Sequence, residues 1–367
     1  MFRRALLAVL AAALVLAACS SPDDEAPPVD TPEAPDAVDE PDVPEEPEGP
    51  IGPPSPITGE PVLEELLDQP LLLVKIENTP QARPQTGLDH ADVVIEEVVE
   101  FGITRFMVLF HSELPEIAGP IRSARPVDVD LVSAFGRSVF AYSGARAEVQ
   151  ALLSPTPVIR MADDAGDDSF FRATERRAPH NLYLRPAQAL EVAAIRDPEP
   201  VVDIGFVFSD EPPAGEDVCP VGAADCDDPG AAITVNMSST YLSGWEYDAT
   251  DGVYRRLQNG QPFATSAPGQ VGMATADREV GAANVVLLGT RHYIGPSGYP
   301  ETDATTPAAG ERAVILRDGR RYEARWVKAA QSDHIALQTV DGQPFPLKPG
   351  KTWIHLPSTT SLPAPIG

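Results

Sequence analysis

Leu71-Leu72-Leu73-Val74-Lys75-Ile76 and Ile103-Thr104-Arg105-Phe106-Met107-Val108-Leu109-Phe110 decide the fold class. Each is a short, nearly unbroken apolar run without the alternation of a half-wet strand, so each reads as a strand covered on both faces. Residues 92–99, between them, form a third apolar stretch interrupted by acids. Beyond these runs the period changes. Residues 128–135 and 145–153 carry helical spacing, residues 138–142 form a strand between them, and residues 186–195 form a helix with proline in its first turn. Strands alternating with helices predict an α/β N-terminal domain with a mixed sheet over residues 58–200.

Past residue 200 the helical pattern stops. Short runs separated by Gly, Asp and Asn predict strands at 204–208, 232–236, 252–257, 284–288, 313–317, 321–327, 334–339 and 352–356. Arg317-Asp318-Gly319-Arg320 and Asp341-Gly342 have hairpin-turn chemistry. The expectation is an acidic insert at 201–230 followed by a β-rich C-terminal domain at 231–367. No repeat of fixed period is present.

The chain has 367 residues, 43% of them hydrophobic, enough for about two domains. It carries 55 acids against 27 Lys and Arg, a formal net charge of −28. That balance excludes a nucleic-acid binder, whose affinity rests on basic surfaces that neutralise phosphates. Three cysteines and six histidines are scattered without HExxH, CxxC or HxxxH spacing, so neither a metal nor a cofactor is expected. Gly350-Lys351-Thr352 ends like a P-loop, but Phe345 stands where the loop needs glycine and the residues that follow read as a strand. There is no GxSxG elbow. Asp225-Cys226-Asp227-Asp228 has part of a calcium-loop pattern, with Pro229 at a ligand position and Asn236 in place of the closing Glu.

The N-terminus addresses the protein. Arg3 and Arg4 precede a twelve-residue apolar run, Ala5 to Leu16. This run is too short to cross a hydrocarbon core of ~30 Å as a helix, and residues 1–18 read as a signal peptide. Leu16-Ala17-Ala18-Cys19 resembles a bacterial lipobox, which implies cleavage before Cys19 and a diacylglycerol-type anchor on its thiol. Residues 20–57 hold twelve acids, twelve prolines and no Lys or Arg. With lipidated Cys19 they make an acidic, Pro-rich tether, 19–57, able to extend about 120 Å at ~3.1 Å per residue. The expected location is the extracytoplasmic face of the cell membrane. In that oxidising setting Cys219 and Cys226 are expected to form a short-loop disulfide, with a pair of free thiols as the alternative.

The strongest local signal is Gly119-Pro120-Ile121-Arg122-Ser123-Ala124-Arg125-Pro126. Two arginines three apart, in a strand-to-helix connection of a very acidic chain, suit an anion such as phosphate or carboxylate. The competing account makes them partners of Glu97, Asp128 or Asp130. Arg172-Ala173-Thr174-Glu175-Arg176-Arg177 and Pro179-His180-Asn181 form a second basic stretch. His180 there is either a general acid or base, or a satisfier of loop backbone groups. Arg105, inside an apolar strand, needs a partner, with Glu97 or Glu100 expected. Arg105, Arg122, Ser123, Arg125, Arg172 and His180 are thus the candidate anion site.

Several stretches together are similar to YerB-like lipoproteins. They are Ala82-Arg83-Pro84-Gln85, Gly87-Leu88, Ala91-Asp92, Glu96, Gly102-Ile103-Thr104-Arg105, residues 119–126, Pro179-His180-Asn181, Tyr254-Arg255 and Gly350-Lys351-Thr352-Trp353-Ile354. The likeness spans about residues 58–358. It implies an exported, membrane-anchored lipoprotein of two parts in a domain family of unknown function, and supplies no activity. After the strand holding Phe140 this chain departs from the family's histidine and glycine, with Tyr142-Ser143-Gly144 instead. Two functions fit: an envelope lipoprotein that binds an anionic ligand, cell-wall glycopolymer or partner, and an envelope-polymer phosphotransferase. The second resembles LytR-CpsA-Psr enzymes in fold and residue type only, with Asp92, Asp128 and Asp130 as candidate acids.

Overall fold

The computed structural model describes residues 52–163, 166–213, 218–219, 230–272, 274–296 and 298–365. In chain order the strands that matter here are β1 (Leu72–Glu77), β2 (Val93–Val98), β3 (Thr104–Phe110), β4 (Val139–Tyr142), β5 (Ile159–Ala162), β6 (Ala232–Asn236), β7 (Leu242–Asp248), β8 (Val253–Gln258), β9 (Asn284–Leu288), β10 (Glu311–Arg317), β11 (Arg320–Val327), β12 (Ala336–Gln338) and β13 (Thr352–His355). The helices are α1 (Pro126–Val132), α2 (Ala147–Leu153) and α3 (Pro186–Ala193).

Ten strands hydrogen-bond in the order β12-β11-β10-β9-β13-β2-β3-β1-β4-β5. Pairing is antiparallel through β2-β3-β1 and β9-β10-β11-β12, and parallel at β1-β4, β4-β5, β2-β13 and β9-β13. The sheet is therefore mixed. It also joins the two halves of the chain, because β13, nearly the last element, lies between β2 and β9 and parallel to both. Asp318 and Gly319, both at positive φ, turn β10 into β11, as the Asp-Gly pair requires.

The continuous apolar character of β1 and β3 has a direct cause. Leu72, Val74 and Ile76 face one core with Phe106, Val108 and Phe110; Leu73 faces the other with Met107 and Leu109. The first core is closed by the small antiparallel sheet β6-β7-β8, through Val235, Trp245 and Tyr254, and by Ala189 and Ala193 of α3. The second is closed by Val127 and Leu131 of α1 and by Val149 and Leu153 of α2. The α/β expectation is thus met only coarsely: much of one face is covered by a second sheet, and the helices are seven, seven and eight residues long. Ile57 is fully buried in the second core, so chain assigned to the tether packs on the fold. The strand expected at 204–208 is reduced to Val207–Phe208. No helix among the described residues is long and apolar enough to cross a membrane. Cys19 and Cys226, with the lipid anchor and the disulfide expected there, lie outside the described residues.

Candidate functional site

The C-terminal ends of β1 and β2 and the start of β3 each carry charged or polar residues. Alternation sends them to opposite faces. Lys75, Glu77, Glu97 and Arg105 face the helical layer, while Glu96 and Thr104 face the small sheet.

On the helical face the loop before α1 is stitched to the sheet by its backbone. Arg122 N–H donates to the Lys75 carbonyl at 2.8 Å, Glu77 N–H to that of Pro120 at 2.9 Å, and Ala124 N–H to that of Gly144 at 3.0 Å. Gly119, at φ 150°, admits nothing larger, since a Cβ there would stand 2.8 Å from the Tyr183 ring. The loop so held brings three guanidiniums together. Arg105 Nη1 donates to the Ser123 carbonyl at 2.6 Å. Arg125 Nη1 reaches the same oxygen at 3.3 Å and the Ala124 carbonyl at 2.9 Å, and its Nε donates to Glu100 at 2.7 Å. Arg122 sits on Glu77, with Nε and Nη2 3.0 and 3.1 Å from the two carboxylate oxygens.

Glu77 is the hub, 1% exposed. It also accepts from the Thr79 hydroxyl at 2.7 Å and lies 2.9 Å from His180 Nδ1. Below it, Lys75 donates to Glu97 and, at 2.7 Å, to Asp128. Asp128 accepts the Arg125 N–H at 2.6 Å as well, which opens α1. Burial, and next the Asp128 carboxylate, push the Glu97 carboxyl up to about 8, and its Oε2 is unbonded. Burial and the neighbouring Arg125 charge lower Arg105 to about 10. Its Nε has no partner although the residue is 6% exposed.

The structure thus brings Arg105, Arg122, Ser123, Arg125 and His180 together, through Glu77 and the Ser123 carbonyl. Arg172 is placed otherwise: its guanidinium is 2.6 Å from Asp163 and 3.2 Å from Asn181, and half exposed. Arg105 hydrogen-bonds to the Ser123 carbonyl, while the expected Glu100 and Glu97 carboxylates stand close enough to favour its charge; the partner of Arg122 is Glu77, which sequence reasoning passed over. Of the candidate acids, only Asp128 adjoins the arginines; it is fully buried and occupied by Lys75 and the Arg125 N–H. Asp92 accepts the backbone N–H groups of His111 and Ser112 at 2.6 and 2.9 Å, and Asp130 accepts from Gln331.

On the opposite face Glu96 forms a second, wholly buried cluster. One oxygen lies 3.0 Å from Arg256 and from His355 Nδ1 and accepts from Ser243 at 2.8 Å; the other accepts from Thr104 at 2.7 Å. The Trp245 indole donates to His355 Nε2 at 2.8 Å. Arg256 lies over Trp245, Phe263 and Trp353, 5.4–5.5 Å from each ring centre. Burial alone would raise the Glu96 carboxyl, but the Arg256 charge and the His355 hydrogen bond outweigh it and hold it at about 2. With no opening to solvent, this cluster fastens β2 to β7, β8 and β13. No group of His, Cys, Asp and Glu fit to hold a metal occurs among the described residues.

Residues 57–199 match the N-terminal domain, and residues 233–354 the C-terminal domain, of the family described as "Protein of unknown function (DUF3048)". The chain belongs to the DUF3048 family. A similar protein from Bacillus subtilis (strain 168), "Putative lipoprotein YerB", is 28% identical over 312 residues, 82% of this chain and 85% of that protein. The crystal structure of the YerB protein from Bacillus subtilis superposes with a TM-score of 0.67 at 25% identity, covering 84% of this chain and 97% of that one. The boundary between the family's two domains, residues 200–232, is where the strand-and-helix pattern gives way to strands alone.

Proposed function

We propose that this DUF3048 protein is held at the extracytoplasmic face of the cell membrane by a lipid on Cys19, and that it binds an anionic group at the 119–125 loop. The lipobox-like Leu16–Cys19 and the name of the similar Bacillus protein support the anchor. One observation carries the binding reading: Arg105, Arg122 and Arg125 converge in a chain of net charge −28. Burial and the Asp128 carboxylate push the Glu97 carboxyl up, which disfavours a fourth negative charge beside the arginines. That leaves three guanidiniums and the Lys75 ammonium against the carboxylates of Glu77, Glu100 and Asp128. The surplus is local, preorganised positive charge, which a net-negative protein needs to capture an anion.

The test is calorimetric titration of the full chain with phosphate and pyrophosphate. Arg122→Lys keeps the charge beside Glu77 but loses the planar fork. A charged hydrogen bond contributes ~1.5–3 kcal/mol, so binding should weaken by roughly 10–100-fold while the melting temperature stays within a few degrees. If neither anion stabilises the wild type and Arg122→Ala and Arg125→Ala only lower its melting temperature, the arginines are structural and the proposal fails.

A further inference from the structure

Two exposed large apolar side chains, Leu152 and Tyr293, line one groove next to the arginine loop, and a third, Tyr299, lines the crevice beside it. The hairpin Arg291–Ile294/Pro300–Asp303 presents Tyr293 (37% exposed), and its turn presents Tyr299 (37%). Leu152 of α2 (51%) lines the same groove as Tyr293, and Phe101 (81%) lies edge-on to Tyr299 at 5.6 Å. Phe101 has φ 62°, the left-handed region. A bulky residue adopts that conformation at a cost of order 1–3 kcal/mol. The backbone thus holds this ring out in solvent when a glycine there would relieve it.

Pro126, Arg146, Val149, Leu152, Tyr293 and Pro296 line a groove of about 370 Å³, at the low end of small-molecule sites, roughly 300–1,000 Å³. A narrow crevice of about 10 Å³ beside it, sharing Pro126, Arg146 and Glu301, lies between Tyr299 and Arg146 and is also lined by Arg125 and Glu100. Arg146 lines both parts. Its Nε is buried without a hydrogen bond, and its guanidinium lies 5.8 Å from the centre of the Tyr299 ring.

We infer that this groove holds the sugar rings of an anionic glycan, whose carboxylate or phosphate is taken by Arg146 and the Arg125 end of the arginine loop. A pyranose offers apolar C–H faces and polar hydroxyl edges. Tyrosine and proline present matching flat faces, and the Arg125–Glu100 pair offers donor and acceptor together to neighbouring hydroxyls. The charged end of this inference rests on the anion-binding reading above; the aromatic end does not. A lipid surface fits less well. The apolar groups border a concavity that Glu148 and Glu301 also line, not a flat apolar face.

The experiment titrates the full chain with polygalacturonate, phosphorylated dextran, plain dextran, inorganic phosphate and phosphatidylglycerol vesicles. At least one charged polysaccharide should bind, and plain dextran at least tenfold more weakly. Tyr293→Ala/Tyr299→Ala and, separately, Arg146→Ala should each weaken that polysaccharide at least tenfold. Both variants should melt as the wild type does, and the tyrosine pair should leave inorganic phosphate binding unchanged. Failure of the anion site shows separately, as inorganic phosphate that never binds; tyrosine- and Arg146-dependent polysaccharide binding upholds the groove even then. Polysaccharide binding that is absent, or indifferent to the tyrosine pair, overturns the inference. So does vesicle binding that the tyrosine pair abolishes, which assigns the surface to lipid.

Discussion

Replacing Glu96 by glutamine removes the charge opposite Arg256 and one of the acceptors that Ser243, Thr104 and His355 share. The amide that replaces it turns a donor toward groups that are themselves donors. The carboxyl is held at about 2 against an ordinary value of 4.5, which corresponds to roughly 3 kcal/mol of native stability. Breaking a buried ion pair independently costs about 3–5 kcal/mol, so the two routes agree near the lower figure. Against a total of about 5–15 kcal/mol that is a large fraction. The assay is urea unfolding of wild type and Glu96→Gln followed by tryptophan fluorescence, since Trp245 and Trp353 lie against Arg256. A depressed carboxyl stabilises fully above its unfolded value and loses its effect as pH falls toward its folded one. The gap between the two proteins should therefore be about 3 kcal/mol at pH 7 and close between pH about 4.5 and 2. A gap under about 1 kcal/mol at pH 7, or one that stays constant through that window, would refute the account of this cluster as the fastening between the halves.

Three further outcomes are expected. Glu97 has the opposite shift, so the wild type should lose stability as pH rises from about 4.5 to about 8. Glu97→Gln, which mimics the protonated form, should gain at least about 1 kcal/mol relative to it across that window, and parallel unfolding curves would count against this. Cys19→Ser should move the protein from the membrane to the soluble fraction, and continued membrane retention would remove the lipid anchor from the proposal. Thiol titration of native, unreduced protein should find Cys219 and Cys226 unreactive, and two reactive thiols would exclude the disulfide, itself worth only about 2–3 kcal/mol in so short a loop.

Part of the candidate site was legible because Arg105 interrupts an apolar strand and Arg122 and Arg125 stand out in an acidic chain. Lys75 carries the same signal within Leu71–Ile76, and Glu77 follows it, yet neither was read as part of a site. Their role depends on which strand runs beside β1 and in what register. Arg105 lies opposite Glu77 on one side and Glu97 on the other, and no spacing along the chain encodes that. Arg172 shows the converse: its surroundings in sequence are as basic as those of Arg122, but a nearby acid, Asp163, takes it.

Local composition by itself determined the strands buried on both faces, the change of pattern near residue 200, the Asp-Gly turn and the polar, proline-rich N-terminal stretch. Each of these follows from hydrophobic period, turn chemistry or charge within a dozen residues. Only the tertiary structure decided that β13 enters between β2 and β9 and makes one sheet of the two halves, and that Glu96 meets Arg256 and His355 from 160 and 259 residues away. The physical reason is that a strand's apolar run states how many faces are covered but not by what. Pairing partners are chosen by the whole set of surfaces competing for burial. A buried charge marks only that some partner must exist, and the fold chooses which.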